Sequence, residues 1–299
     1  MKIYLCVDDT DDMNKETSTG AAAEAIGRAL AKEGAQIEEG ISRHQLLLHP
    51  GISYTSHNSA MCLSFCPGGQ GLSLERIEAI AEETILACKA DTANPGLAIC
   101  MGDTPQKRDA LLAFGLRAKR DVLTQDQAYA LAAEMPEVTL RALGGDGSGV
   151  IGALAGLGLR LSRNDGTFRG KKGMYLHGKS LTVAQMKEAL GVEQIVDTKG
   201  TPLADHQEVM VEQFVKISLQ KGKRSAVLSG RKKGNCFILS SEREEKKSGR
   251  EAACCPDFLP DPDEEEQVGE GQSCGRCLYR RWTANGQECQ KPVSSGEGA

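Results

Sequence analysis

Nowhere in this 299-residue chain is there an unbroken apolar run of the roughly 20 residues that a membrane-spanning helix needs. A transmembrane helix is therefore excluded, and no membrane partner is expected. No basic stretch leading into an apolar one opens the chain, so the pattern of a secretory leader is lacking and the expectation is a cytoplasmic protein. An excess of positive charge is lacking too. The 36 Lys and Arg against 41 Asp and Glu give a formal charge of −5, which does not advertise nucleic-acid binding. The charge is uneven, however. Residues 201–240 carry seven basic against three acidic side chains, and residues 241–299 carry eight against thirteen. A basic block before an acidic tail is an asymmetry that can hide a binding surface. Cysteine is not scarce, at eleven, but a chain of this size without a leader keeps its thiols reduced or uses them for metal. Cys6, Cys62, Cys66, Cys88 and Cys100 lie in or beside apolar segments and read as buried thiols.

The most informative segment is the first. An apolar stretch, Lys2 to Val7, runs directly into Asp8-Asp9-Thr10-Asp11-Asp12. Like charges this close repel, and each raises the pKa of its neighbours. A hard cation relieves that cost, and Mg²⁺ sits on one or two carboxylates plus substrate phosphates. Asp8, Asp9 and Asp11 are thus candidate catalytic residues and Mg²⁺ ligands. Thr17-Ser18-Thr19-Gly20 reads as the N-cap of a helix with an Ala-rich body. Because a helix start offers N–H groups to an anion, acids and anion site would share one loop, as a nucleoside triphosphate requires. The competing reading is a solvated acidic loop that caps a helix.

The length allows two domains. Over residues 1–200, strands are expected at 2–7, 37–48, 59–66, 95–101, 137–143 and 192–197. Helices are expected at 18–33, 73–89, 106–120, 124–134, 149–158 and 182–190. The apolar stripe Leu74, Ile77, Ile80, Ala81, Ile85 has helical spacing. Leu46-Leu47-Leu48 before Pro50-Gly51 reads as a buried strand entering a turn. Such alternation gives a mixed α/β or α+β fold. Residues 201–240 read as a short β-rich basic segment, either a small module or extra hairpins on the main body. Residues 241–299 read as a charged, Cys-containing disordered tail.

Other segments carry weaker signals. Gly144-Gly145-Asp146-Gly147-Ser148-Gly149 precedes a small-residue helix, so its amides would line a phosphate site; it lacks the Lys of a P-loop, and a plain tight turn fits as well. Ser42-Arg43-His44-Gln45 and the stretch from His49 to Asn58 bracket a strand with polar groups that would face a substrate. They hold three of the five histidines, without metal-ligand spacing. Cys254, Cys255, Cys274 and Cys277 would supply four thiolates to Zn²⁺. Cys236 or Cys289 would serve as substitutes, and a metal-free tail is the alternative. Lys221, Lys223, Arg224, Arg231, Lys232 and Lys233 flank one short strand, where they would straddle an RNA backbone or merely keep an edge strand soluble.

Taken in order, V-D-D-T-D, Arg43 running to H-P-G-I-S-Y-T and Asn58, Asn94-Pro95-Gly96, and G-x-G-x-G-V-I-G-A-L-A at 145–155 resemble the archaeal agmatidine synthetase family. That family modifies the wobble cytidine of an isoleucine tRNA. The resemblance covers about residues 1–200. It implies a kinase-like α/β catalytic domain with a ferredoxin-like domain, and an ATP-dependent ligase that activates cytosine for attack by an amine. Implied partners are ATP, tRNA, and agmatine or another small amine. By the same resemblance Asp8, Asp9 and Asp11 hold Mg²⁺ and the ATP phosphates, and Ser18 and Thr19 match phosphorylatable or phosphate-facing positions. Thr10, Arg43, Gly145, Gly147 and Gly149 would line the ATP site. His49, Asn58, Lys223, Arg224, Arg231 and Lys232 would contact substrate.

The chain departs from the family at His49-Pro50, at Thr55-Ser56-His57-Asn58, where an Arg is missing, and at Ser148, where another is. The length after residue 200 is short for the family's OB-fold and zinc ribbon. The alternative is therefore a nucleotide- or RNA-binding homologue, non-catalytic or changed in substrate, without the tRNA-gripping domains.

Overall fold

The computed structural model describes residues 1–228, apart from 13–16, 56, 70, 103, 171 and 212–214, and beyond them the strand backbones at 230–233, 236–239, 281–283 and 286–288. The elements run β1 (Ile3–Asp8), α1 (Thr19–Lys32), β2 (Gln36–Gln45), β3 (Ser59–Cys66), α2 (Leu74–Cys88), β4 (Gly96–Met101), α3 (Pro105–Ala118), α4 (Gln125–Ala133), β5 (Val138–Ala142) and α5 (Gly149–Leu161). There follow β6 (Thr167–Phe168), β7 (Ser180–Thr182), α6 (Val183–Leu190), β8 (Gln194–Asp197), β9 (Glu208–Val211), β10 (Lys216–Gln220), β11 (Lys223–Leu228), β12 (Gly230–Lys233), β13 (Cys236–Leu239), β14 (Arg281–Thr283) and β15 (Gly286–Glu288).

A single sheet of nine strands, ordered β5-β4-β1-β3-β2-β6-β10-β11-β8, organises the chain. All its pairings are antiparallel except β11 with β8. A sheet of β12-β13-β9-β7 accompanies it, and β14 pairs with β15. The fold is thus mixed α/β, as the alternation of segments predicts.

Strand alternation decides what β1 does. Successive side chains point to opposite faces, so Ile3, Leu5 and Val7 enter the core under α1 and α2. Tyr4 and Cys6 enter the other core, under α3 and α5. All six residues are buried, because β1 lies between β3 and β4 with a layer on each face. Burying one leucine such as Leu5 contributes on the order of 2 kcal/mol. The even-numbered face continues to Asp8, which therefore emerges at the strand's end against α5.

The helix α5 is apolar all round but for the buried Arg160, with Gly at 149, 152, 156 and 158. It needs both properties, since it is wedged between the sheet and α3. A Cβ at Gly96 in β4 would overlap the Gly149 backbone, and one at Gly156 would press on Cys6 Sγ. The start of α1 follows the expected cap, and two further helices are capped by boxes. Ser18 Oγ accepts from the Ala21 amide at 3.1 Å, and Thr124 and Thr182 each form a capping box with the Gln three residues on.

The three-leucine run differs from its reading. Strand β2 ends at Gln45. The Leu46 amide donates to the Asn58 carbonyl and the Leu47 amide to that of Ala118, so the run turns off the sheet onto the end of α3. Leu46 is buried and Leu48 is exposed. The short strands after residue 205 divide between the two sheets: β10 and β11 extend the nine-stranded one, while β9 and β13 pair in the four-stranded one.

Candidate active site

The end of β1, the start of α1, the 46–59 loop, the α3–α4 connection and the start of α5 enclose a cavity of about 340 Å³. Asp8, Asp9, Asp11, Ser18, Thr19, Arg43, Asn58 and Gly149 all line it. Residues separated by 140 positions in sequence thus meet in one space. They do so because β1 is central and α5 crosses its end.

Each acid is held differently. Asp8 is 8% exposed, and a Cβ at Gly152 would overlap its Oδ2, so the carboxylate lies directly on the first turn of α5. Asp9 has φ of 54°, a left-handed backbone that non-glycine residues seldom adopt, and its Oδ2 accepts from Asn94 Nδ2 at 3.2 Å. Asp11 Oδ1 accepts from Thr19 Oγ1 at 3.3 Å. Asp12 accepts from Thr92 Oγ1 at 2.7 Å and is not among the cavity's lining residues.

Burial pushes the Asp8 carboxyl well above the usual range, with Asp9 and Asp11 adding repulsion. Burial also raises Asp9 and Asp11, against the hydrogen bonds from Asn94 and Thr19 that favour their charged forms. Asp121 and Asp146 bring the cavity's carboxylates to five, and Arg43 is the one Lys or Arg among the described residues of the wall. Its Nε donates to Ser59 Oγ at 3.0 Å. Such a wall rejects a bare phosphate and accepts a cation, or an anion that arrives with one.

Hard carboxylate oxygens beside hydroxyls are the donor set that Mg²⁺ prefers, so the residues present fit that ion. Among the described residues no group of three or more His, Cys, Asp or Glu side chains is preformed as a metal cage. Mg²⁺ held by one or two carboxylates and by substrate oxygens does not require one.

The remaining expected residues lie elsewhere or play other parts. Thr10 is buried beneath the loop, its carbonyl accepting from the Ala90 amide and its own amide facing Thr19 Oγ1 at 3.4 Å. Gly145 and Gly147, with φ of 56° and 79°, shape the turn that presents Asp146, Ser148 and Gly149 to the cavity. His49 is exposed, its Nδ1 accepting from the Gly51 amide at 3.0 Å, and it does not line the cavity. Asn58 donates to the Leu47 carbonyl at 2.7 Å, which ties the loop's two ends together.

Ser42 and His44 face inward and are fully buried, so they do not face a substrate in this cavity. Lys223 and Arg224 lie on β11, five strands from β1, on the order of 24 Å at about 4.8 Å per strand. Arg231 and Lys232 lie on β12. Cys254, Cys255, Cys274 and Cys277, and the acidic tail around them, lie outside the described residues.

Two wall residues, Asp121 and Val122, escaped the sequence reading. Tyr54, Ile151 and Gly152 also line the cavity, and each lies in a segment that the resemblance singles out. Asp121 sits in a polar connection with nothing in sequence to mark it.

No protein-family model matches this chain, and no curated protein does either. Among solved structures, one described as a tRNA fluorescent labeling enzyme is similar with a TM-score of 0.46 and 22% identity, over 53% of this chain and 36% of that one. The apo form of TiaS, a tRNA agmatidine synthetase, gives a TM-score of 0.43 and 21% identity, over 53% and 35%. The same synthetase in complex with its isoleucine tRNA and ATP gives 0.45 and 23%, over 53% and 36%. The part of this chain that matches spans about a third of each of those chains. These likenesses are partial in both chains and say nothing of what this one acts on.

Proposed function

We propose that the cavity binds Mg²⁺–ATP and that the chain is an ATP-dependent RNA-modifying synthetase, one that activates a cytosine for attack by an amine. The observation that carries the nucleotide part is the meeting of Asp8, Asp9 and Asp11 with Ser18 and Thr19 in one cavity whose described residues include five carboxylates and one arginine. Phosphates enter such a space only with a divalent ion, which neutralises their charge and that of the carboxylates. Asp8, Asp9 and Asp11 would hold that ion. Ser18 and Thr19, 9% and 6% exposed at the start of α1, orient the terminal phosphate by hydrogen bonding, with transfer to a hydroxyl as the competing role. Arg43 supplies the one fixed cationic side chain among the described wall residues. Leu46, Ile52, Val122, Leu123 and Ile151 give the cavity an apolar wall that suits a flat base.

The RNA, the cytosine and the amine rest on the sequence resemblance. A second reading, a nucleotide- or RNA-binding homologue without turnover or with a changed substrate, is favoured by the single arginine among the described residues of the wall, since phosphoryl chemistry commonly recruits more cationic groups. The experiment is ATP consumption with Mg²⁺, with and without tRNA and agmatine, followed by mass spectrometry of the tRNA nucleosides. A mass increase on cytidine that requires ATP is expected, and Asp9→Ala should lower turnover by about 100-fold or more while leaving the circular dichroism unchanged. Wild-type nucleotide affinity in Asp9→Ala would sink the metal assignment. ATP binding with no nucleoside product would leave the second reading.

A further inference from the structure

We infer that Asn94 is a positioning residue that locks the acid loop and the glycine loop together, so that Asp9 and the 146–149 backbone face the nucleotide as one unit. The inference rests on reading the cavity as a Mg²⁺–nucleotide site. Asn94 lies in the connection between α2 and β4 and is not among the cavity's lining residues. It acts on two loops that do line it. Its Nδ2 donates to Asp9 Oδ2 at 3.2 Å. Its Oδ1 accepts from the Asp146 amide at 2.9 Å, and its backbone carbonyl accepts from the Gly149 amide at 3.0 Å.

The glycine loop is moulded on this side chain, because a Cβ at Gly145 would overlap Asn94 Oδ1. The acid loop is strained towards it. With φ of 54°, Asp9 holds a backbone that persists only where its surroundings over-determine it. The Asn94 amide supplies that determination. It bonds to both loops at once, with its donor end on the carboxylate and its acceptor end on the amide.

This division of labour makes the residue testable. Asn94→Asp keeps the shape and the acceptor for the Asp146 amide, but it replaces the donor facing Asp9 with a like charge. Asn94→Ser is neutral and too short to reach both partners. The measurement is the Mg²⁺ concentration that half-saturates binding of a non-hydrolysable ATP analogue, with thermal melting of each variant alongside. Both variants should raise that concentration about tenfold or more, as loss of a group that orients a metal ligand does, and Asn94→Asp should do so with a melting temperature close to wild type.

A role confined to the glycine loop, through the Asp146 amide, would leave the Mg²⁺ requirement of Asn94→Asp at the wild-type value. A folded variant with wild-type Mg²⁺ dependence therefore overturns the inference, and so does loss of the fold in both. Failure of the wild-type chain itself to show Mg²⁺-dependent nucleotide binding is a separate result, and it would remove the reading of the cavity.

Discussion

Two glycines in helices have opposite tasks, and the difference lies in what an added methyl would meet. At Gly152 a Cβ would overlap the Asp8 carboxylate, while at Gly27 in α1 the nearest atom is Leu63 Cδ1 at 3.9 Å, an ordinary packing distance. Gly152→Ala must therefore displace Asp8 or lift α5 from β1. Overpacking of this kind costs about 1–3 kcal/mol, and the displaced carboxylate should cost about tenfold or more in Mg²⁺–nucleotide affinity. Gly27→Ala should instead stabilise the chain by about 0.5–1 kcal/mol, the ordinary gain for alanine over glycine inside a helix, with nucleotide binding unchanged. Chemical denaturation paired with nucleotide titration distinguishes the two. Equal affinities in Gly152→Ala and wild type would mean either that α5 gives way and leaves Asp8 in place or that Asp8 is not needed at the site, and Asp8→Asn, which leaves Gly152 unchanged, separates the two.

At the scale of elements, a buried chain of polar groups ties β2 to its surroundings. Ser42 Oγ lies 2.7 Å from His44 Nε2, and His44 Nδ1 lies 3.0 Å from Asp165 Oδ1. Lys119 Nζ, just past the end of α3, donates to Asp165 Oδ2 at 2.6 Å. Burial holds the His44 ring below its usual range, with Asp165 pulling it up and Arg160 and Lys119 pushing it down. The ring therefore takes up its proton at lower pH in the fold than in the unfolded chain, where it does so near pH 6.5. The unfolded state then binds more protons, so stability falls as pH drops through that range. Burial raises the Asp165 carboxyl, but the hydrogen bonds from His44 and Lys119 outweigh it and bring it below the usual range. Its contribution is therefore lost only at still lower pH. The raised carboxyls of Asp8, Asp9 and Asp11 act in the opposite sense as pH drops but are common to both chains, so the melting temperature of wild type should fall relative to that of His44→Gln, which has no ring to protonate, between about pH 7.5 and about pH 5. Parallel curves would exclude His44 as the cause. The same element shows how far the sequence could be read. The apolar runs of β1 and β3, the stripe of α2 and the cap of α1 are local signals, so those elements could be placed from sequence to within a few residues. Ser42 and His44 point inward because they pair with Cys62 and Ala60, which face the core under α3 and α5, whereas the apolar residues of β2 itself, Ile37 and Ile41, mark only its other face. Strands β6 and β7, of two and three residues, are too short to carry a period at all. The acid loop was legible as a candidate site because charge beside an apolar strand is costly. Asp121 and Asn94 were not, because their places depend on how distant connections pack.

On the scale of the whole molecule, the candidate chemistry and the basic residues of β11 and the turn before it sit towards opposite ends of one sheet, β1 near one side and β11 next to the far edge, while Arg231, Lys232 and Lys233 lie on β12 of the other sheet. Any RNA that reaches both must span several strands, which suits a long polyanion held by its backbone. The six basic positions are not equivalent in that task. The Arg224 guanidinium lies over the Phe168 ring at 5.2 Å to its centroid, and the Arg160 guanidinium reaches the same ring at 4.9 Å, so Arg224 packs the β6–β11 region. Lys221 and Lys223 are exposed, and Arg231, Lys232 and Lys233 follow on β12. The variant to make therefore changes those five to Ser and leaves Arg224 in place, so that lost binding is not lost folding. Phosphate contacts release counterions, and the slope of log affinity against log salt falls by about 0.9 for each contact removed from a duplex. If these groups hold tRNA, the five-fold variant should bind more weakly at low salt, respond less steeply to added salt, and keep its melting temperature. A chain cut after Ser240 should lose less, because residues 241–299 carry an acidic excess that repels phosphate. If the cut abolishes tRNA binding while the five-fold variant keeps both its affinity and its salt slope, the grip lies in the cysteine-bearing end and the basic strands serve only to keep the sheet edge soluble.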